Sequence, residues 1–450
     1  MSIVVAQILP EDRNGGAFRI PEYLHYEFPK YGINSYMVVG EKHTNDERVF
    51  EIPNFQSRSK IAKKMIEIER KITPHTSFKG GWRIREIIRF IGQPKRMLKI
   101  WAGFEDFEFP GTWKILDILP EKPSVLLCHV LHGFWLQDRG FFDLRALPYL
   151  SQKTKVILVQ HDMWLFTGHC SFSMGCERWK IGCGKCPDLN LPPRIRRDLS
   201  YTNWKIKREI YRKSKFFVVV PSRWMKSQVE SSILMEGAKE VKLIYNGIPL
   251  DIFTPSDKAK SRKILNLPQD KVIIMTAAKS LKTNVWKGFD IFFRFAKKIS
   301  QKHKKIIFLG LGGSSSNKVE EENIGENKIL YLPFEQNQEK LKYFYSASDF
   351  FVLPSRAESL GLVFLEAQGS GTIPCGTNIG GIPEIIEDMK TGILFDLNDV
   401  DDLVQKVEKL IENRNLYEKI RENAILNSKK FDIKEKAKEY VDFILSVIER

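Results

Sequence analysis

The chain has 450 residues, which at roughly 150 per domain allows about three domains or two large ones, and a sizeable buried core. Its 43% hydrophobic and 28% charged residues exclude collagenous, mucin-like, wholly disordered and membrane-spanning chains. Seventy-one Lys and Arg against 55 Asp and Glu leave a net charge of +16, which favours acidic partners such as phosphates, nucleic acid or anionic lipid without choosing among them.

Residues 3–9 are a β-rich run that stops at Pro10, with no basic leader and no small-residue cleavage site, so they read as a first buried strand and not an export signal. A cytosolic location with reduced cysteines is the expectation. Asn14-Gly15-Gly16 punctuates the run, and residues 17–29 follow with Ile20, Leu24 and Phe28 at helical spacing. The same strand-then-loop grammar recurs at 125–130, 155–159 and 216–220. Repeated strand then helix specifies an α/β chain with a parallel sheet.

Between Arg58 and Lys99 the sequence changes character. Thirteen basic residues stand against Glu67, Glu69 and Glu86, so this stretch carries ten of the net +16. It forms the centre of an expected basic insertion over 57–103. Ile84, Ile87, Ile88 and Ile91 recur at helical spacing among the cations, as an interfacial helix on anionic lipid requires; a solvated helix packed on its domain reads equally well.

A cysteine-rich loop is expected over 162–190. Cys170, Cys176, Cys183 and Cys186 fall within seventeen residues, and Cys183-Gly184-Lys185-Cys186 is a C-x-x-C knuckle. Four thiolates suit tetrahedral zinc, with His169 a substitute ligand; packed reduced thiols and disulfides are the alternatives. Residues 241–260 are turn-rich and read as a linker, which divides a first domain over 1–240 from a second over 261–430. In the second, strands are expected at 272–278, 306–311, 329–334, 350–354 and 372–375, and 400–450 reads as helical. Gly310-Leu311-Gly312-Gly313 follows a strand, but the polar run after it is a poor helix start for dinucleotide binding.

The most informative stretch runs from Pro354 to Ala367. A strand end passes through a glycine turn into an amphipathic helix, whose unpaired N–H groups and positive dipole end suit a phosphate. Glu358 lies in the turn and Glu366 inside the helix, a spacing that lets one carboxylate reach a sugar and the other a ribose.

Residues Ser355 to Glu366, followed by Gly380-Gly381-Ile382-Pro383-Glu384, resemble the retaining glycosyltransferases of family 4. The resemblance extends through Gly15-Gly16, Asn246-Gly247-Ile248 and Lys287-Gly288. The run from His161 to Pro187, with Trp164, Trp179 and the four cysteines, is similar to bacterial colanic-acid or exopolysaccharide-type transferases. It implies the GT-B fold, two Rossmann-like doubly wound domains facing a central cleft, with the last helix, 431–450, crossing back to the first domain.

It also implies roles. Lys287 neutralises the donor diphosphate, with Lys279 standing where many relatives have arginine. Glu358 contacts donor-sugar hydroxyls, Glu366 the nucleotide ribose, and Ser359, Leu360, Gly361 and Leu362 meet sugar and diphosphate through their backbone. Phe334 borders the base, and Gly15 and Gly16 let the first loop approach the diphosphate. His161 takes the place of the active-site histidine, with Asp162 its orienting partner or a helix cap.

The implied substrates are a UDP- or GDP-linked sugar and a saccharide or lipid-linked saccharide acceptor, used in surface polysaccharide synthesis. No cofactor is needed for catalysis, structural zinc aside. Two other readings remain open: a basic zinc-containing nucleic-acid binder, which leaves the paired glutamates unexplained, and an inactive GT-B sugar- or lipid-binding protein.

Overall fold

The computed structural model describes the whole chain except residues 1, 2, 14, 15, 77, 79 and 315–317, and for residues 16 and 17 the backbone alone. Two seven-stranded sheets carry it. The first contains β1 (Ile3–Glu11), β2 (Ile33–Glu41), β3 (Val49–Glu51), β4 (Val125–Cys128), β5 (Lys155–Val159), β6 (Phe216–Val220) and β7 (Ala238–Leu243), in the order β3-β2-β1-β4-β5-β6-β7. Every pairing in it is parallel.

The second contains β8 (Val272–Ala277), β9 (Ile306–Leu311), β10 (Glu320–Ile324), β11 (Asn327–Leu332), β12 (Phe350–Leu353), β13 (Ile373–Thr377) and β14 (Ile393–Phe395), in the order β10-β11-β9-β8-β12-β13-β14. All pairings are parallel except β10 with β11, an antiparallel edge. The expected architecture of two doubly wound domains is thus present.

Helices cover both faces of each sheet, so the central strands read as continuous apolar runs without alternation. All four residues of β4 are buried, as are all five of β6. Strand order reverses between β1 and β4 in the first sheet and between β8 and β12 in the second. At such a reversal the helices leave on opposite faces, which opens a crevice at the carboxyl ends of the two strands.

β7 runs to Leu243, into the segment expected as linker. The chain crosses between domains twice, and the crossings touch: Ile248 N–H donates to the Phe431 carbonyl and Ile433 N–H to the Ile248 carbonyl. The last helix, Ile433–Glu449, buries Ile433, Ala437, Tyr440 and Ile444 against Val5, Leu24 and Phe28 of the first domain. The 400–450 run is three helices, Val400–Glu412, Arg414–Ser428 and Ile433–Glu449. Asn413 and Asp432 break it because their side chains accept from Leu416 N–H and Lys434 N–H and so start a new helix at each point. No helix among the described residues is long and apolar enough to cross a membrane.

Candidate functional site

In the second domain the carboxyl ends of β8, β9, β11 and β12 gather the expected residues. Lys279 follows β8 and is exposed, and Phe334 follows β11 and is half-buried. Gly312, at φ 79°, lets the turn after β9 close on them: a Cβ there would stand 2.0 Å from the Ala278 carbonyl oxygen and 3.2 Å from the Phe334 ring. A glycine is required by both the dihedral and the approach.

Gly288, at φ 61°, does the same for Lys287. A Cβ on it would sit 1.9 Å from the Pro354 carbonyl oxygen, so the turn lies directly against the end of β12. Lys287 Nζ is thereby delivered to Glu358, 2.6 Å from its Oε2, the pair being only partly exposed. Glu358 itself is clamped by Gly380 and Gly381, whose N–H reaches the Glu358 carbonyl at 3.3 Å. Gly361 precedes the helix Leu362–Gly369 with φ 99°, and Ser359, Leu360 and Gly361 form the buried turn into its N-terminus.

Glu366 is fully buried, and both carboxylate oxygens are engaged. Oε2 accepts the Tyr345 hydroxyl at 2.9 Å. Oε1 pairs with the guanidinium of Arg19, which reaches across from the first domain. Burial pulls the Arg19 pKa down, but the Glu366 carboxylate, with Tyr23 and Tyr345, outweighs it and holds the guanidinium above its ordinary value. One helical turn after Arg19, the Tyr23 hydroxyl donates to Gln338 at 2.9 Å, so one face of the helix Gly16–Glu27 spans both domains.

The first-domain edge is built from histidines. Gln7 on β1 donates its amide Nε2 to the Pro21 carbonyl at 3.0 Å, which leaves Oε1 to accept from His129 Nε2 at 3.1 Å. His129 therefore holds its proton on Nε2, and its Nδ1 accepts from His161 Nε2 at 3.0 Å. His161 keeps Nδ1 as its unprotonated nitrogen. Burial lowers the His161 pKa to about 4, with Asp162 opposing weakly. Burial, with His161 adding to it, holds His129 well below its usual value.

Asp162 does not orient His161. Its Oδ2 takes His132 Nε2 at 2.7 Å, and its Oδ1 accepts Trp164 N–H at 2.8 Å in an Asx-type turn that aims it away. His129 and His132 thus belong to the same edge as His161.

The two edges also meet elsewhere. Phe172 packs on Trp286 with ring centroids 6.2 Å apart, and Glu384 accepts Arg223 N–H at 2.8 Å, Trp224 N–H at 2.9 Å and the Tyr245 hydroxyl at 2.9 Å. Glu384 so caps the helix Arg223–Glu230 across the domains, beside that helix's own cap, Ser222.

Of the expected residues, the structure brings Lys287, Glu358 and the turn Ser359–Leu362 together, sets Lys279 and Phe334 along the same edge, and puts His161 on the opposite one. Glu366 lies behind that edge, closed by Arg19. Gly15 lies outside the described residues, and Gly16 opens the first helix. Arg19 and Tyr345 were not expected, and Glu384 was singled out only as the end of the Gly380–Glu384 stretch, without a role. A lone arginine on an amphipathic helix carries no signal of its partner 347 residues away.

The cysteine-rich loop is a separate structure. Cys170, Cys176, Cys183 and Cys186 line one pocket with His169, all four as free thiols. His169 Nδ1 donates to the Pro193 carbonyl at 2.9 Å, leaving Nε2 to accept from the Cys186 thiol at 3.3 Å. Burial pushes the Cys170 and Cys183 thiols up to about 12. Among the described residues no group of three His, Cys, Asp or Glu side chains is placed to hold a metal ion, so the expected zinc ligand set is not assembled here.

Residues 257–427, which hold most of the second domain, match the family model of glycosyl transferases group 1. WcaC of Escherichia coli (strain K12), whose name assigns it provisionally as a colanic acid biosynthesis glycosyl transferase, is 26% identical over 286 residues, 59% of this chain and 62% of its own length. The chain therefore spans less than two thirds of this relative. Among solved structures, sucrose-phosphate synthase from Thermosynechococcus elongatus aligns over 99% of both chains with TM-score 0.64 and 15% identity. Anabaena Alr3699/HepE in complex with UDP-glucose aligns over 99% of this chain and 100% of its own, with TM-score 0.60 and 15% identity. At that identity the likeness is one of fold, and the fold is GT-B.

Proposed function

We propose that the protein is a retaining glycosyltransferase that moves a sugar from a nucleotide-diphosphate donor to a hydroxyl of a saccharide or lipid-linked saccharide. One observation carries the reading: Lys287, Glu358 and the N-terminus of the helix Leu362–Gly369 converge at the β8/β12 crevice, inside the segment that matches group 1 glycosyl transferases. A cation, a helix N-terminus and a sugar-reaching carboxylate at one strand reversal are what a sugar diphosphate requires.

In this reading Lys287 exchanges Glu358 for the diphosphate, and Lys279 adds charge at the same edge. Glu358 is then free to accept from donor-sugar hydroxyls. Glu366 takes the ribose when Arg19 releases it, so donor entry is coupled to a small opening of the domains. Phe334 borders the base.

In the transfer the bond from the anomeric carbon to the diphosphate oxygen breaks, the bond to the acceptor oxygen forms on the same face, and the acceptor proton passes to the leaving diphosphate. Positioning and charge stabilisation carry the rate, with no covalent nucleophile from the chain. His161, neutral at pH 7, offers hydrogen bonding at the reacting centre without competing with Lys287 for charge. The name of WcaC supports a role in surface polysaccharide synthesis, and the UDP-glucose complex of HepE supports a uridine donor over a guanosine one.

The test is a donor screen by mass spectrometry, with UDP-, GDP- and ADP-sugars and an acceptor panel. Turnover or slow donor hydrolysis by one donor, lost in Lys287→Ala and Glu358→Ala, is the expected result. Inertness toward every donor, beside tight salt-sensitive nucleic-acid binding, would overturn it.

A further inference from the structure

The basic insertion folds as two packed helices, Lys60–Ile72 and Gly81–Gly92, followed by Pro94–Ala102. Its polarity is inverted. In Gly81–Gly92 the residue turned inward is Glu86, which pairs with Arg196 at 2.5 Å and Arg139 at 3.5 Å. Arg89 is likewise tied down, to Glu69 of the partner helix at 2.6 Å and to the Gln137 carbonyl at 2.8 Å. Ile84, Ile87 and Ile91, one stripe at spacings of three and four, face solvent with 44%, 60% and 56% of their surface exposed.

A helix packed on its domain by its apolar side would bury that stripe. Here ion pairs hold the helix from beneath, and Phe90 stacks on Trp101 at 5.1 Å on the protein side. The isoleucines are therefore fixed outward. Ile61 on the neighbouring helix, with Phe78 and Trp82 at the hairpin turn, extends the exposed apolar surface.

Cations flank this surface. Lys60, Lys64, Lys71, Arg83 and Lys95 are exposed, and among the described residues none of them forms an ion pair. On the helical wheel Lys60, Lys64 and Lys71 border the stripe that contains Ile61, and Arg83 borders that of Ile84 and Ile87. Glu67 is the one exposed acid of the two helices, since Glu69 and Glu86 are turned in.

The geometry points to a membrane-docking face: the two helices lie in the interface of a bilayer that carries anionic lipid, with the isoleucine stripe among the acyl chains and the lysines at the headgroups. Exposed apolar residues ringed by unpaired cations are the complement of such a surface. They do not complement a second copy, because each chain carries +16 and the face itself is basic. Arg58 and Arg96 bind Asp138, and Arg89 donates to the Gln137 carbonyl, so the hairpin is anchored to the loop that also places His132 and Trp135. On the reading proposed above, the docked face sets the His161 edge close to lipid-borne acceptors; the docking itself does not depend on that reading.

The experiment is vesicle flotation of the full chain with phosphatidylcholine alone and with about a third phosphatidylglycerol, at low and high salt. The proposal expects flotation with the anionic vesicles, weaker at high salt and much weaker with phosphatidylcholine. It expects a loss of about tenfold or more in Ile84→Gln/Ile87→Gln/Ile91→Gln and in Lys60→Glu/Lys64→Glu. Both variants change exposed side chains, and their melting temperatures and nucleotide binding should match the parent's. No flotation, flotation indifferent to the isoleucine variant, or a dimer in solution that the isoleucine variant dissolves would each overturn it.

Discussion

The two sheet edges that meet across the domains handle charge in opposite ways. The β8/β12 edge is made of charges neutralised in pairs, Lys287 with Glu358 and Arg19 with Glu366. The β1/β4 edge is made of neutral imidazoles in a chain from Gln7 through His129 to His161. Paired charges can exchange partners with an incoming anion at little net cost, whereas desolvated imidazoles keep one tautomer and stay uncharged. On the function proposed above, anion binding falls to the first edge and hydrogen-bonded orientation to the second.

Removing the charge from the first edge should have the largest effect. Lys287→Ala is expected to lower kcat/KM for donor by roughly 10²–10³-fold and to weaken nucleotide-diphosphate binding, read by turnover and calorimetry. A substitution on the other edge should separate from this: His161→Asn should lower kcat by about a hundredfold while nucleotide affinity stays unchanged. Equal losses of affinity in both variants would erase the distinction between the edges.

Arg19→Met probes the exchange itself. With its cation gone, Glu366 is open to a ribose, and nucleotide is expected to bind roughly fivefold tighter by calorimetry, because the closed contact no longer competes. Weaker binding would mean that Arg19 contacts the donor directly.

A further effect is on stability. His161 is depressed to about 4 by burial and His129 lies well below its usual value, so the folded state takes up these protons less readily than the unfolded chain. Stability is then fully present above the unfolded pKa near 6.5 and is lost as pH falls from there, by about 1.4 kcal/mol per pH unit for one histidine. Melting temperatures from pH 7 to pH 5 should fall in the parent and fall less in His161→Asn.

The repeating strand-then-helix grammar was legible because the central strands are buried on both faces and stand out as short apolar runs. β2 carries Asn34 and Ser35 within INSYMVVGE, and β7, AKEVKL at a sheet edge, half shows its side chains to solvent; neither has that signature. β3 and β14 are three residues each, too short for any period.

At the site, Glu358 and Glu366 stood out because a glycine turn and fixed spacing set them on one strand-turn-helix unit, and Lys287, 71 residues before Glu358, through the Lys287-Gly288 pair that carries the resemblance. Arg19 on Glu366 and Glu384 on the helix Arg223–Glu230 were not, since each joins segments that only the closed pair of domains brings together. Periodicity failed in another way at residues 81–92: it marks an amphipathic helix but not which side faces the protein. Inward ion pairs, invisible in the pattern, decide that Ile84, Ile87 and Ile91 face out while Ile88 is half-buried.

The most direct test of the account is calorimetric titration of UDP, GDP and ADP into the parent protein and Lys287→Ala. The account predicts that one nucleotide binds the parent and that its affinity drops at least about tenfold in the variant. Binding of no nucleotide diphosphate, or binding indifferent to Lys287, would contradict it.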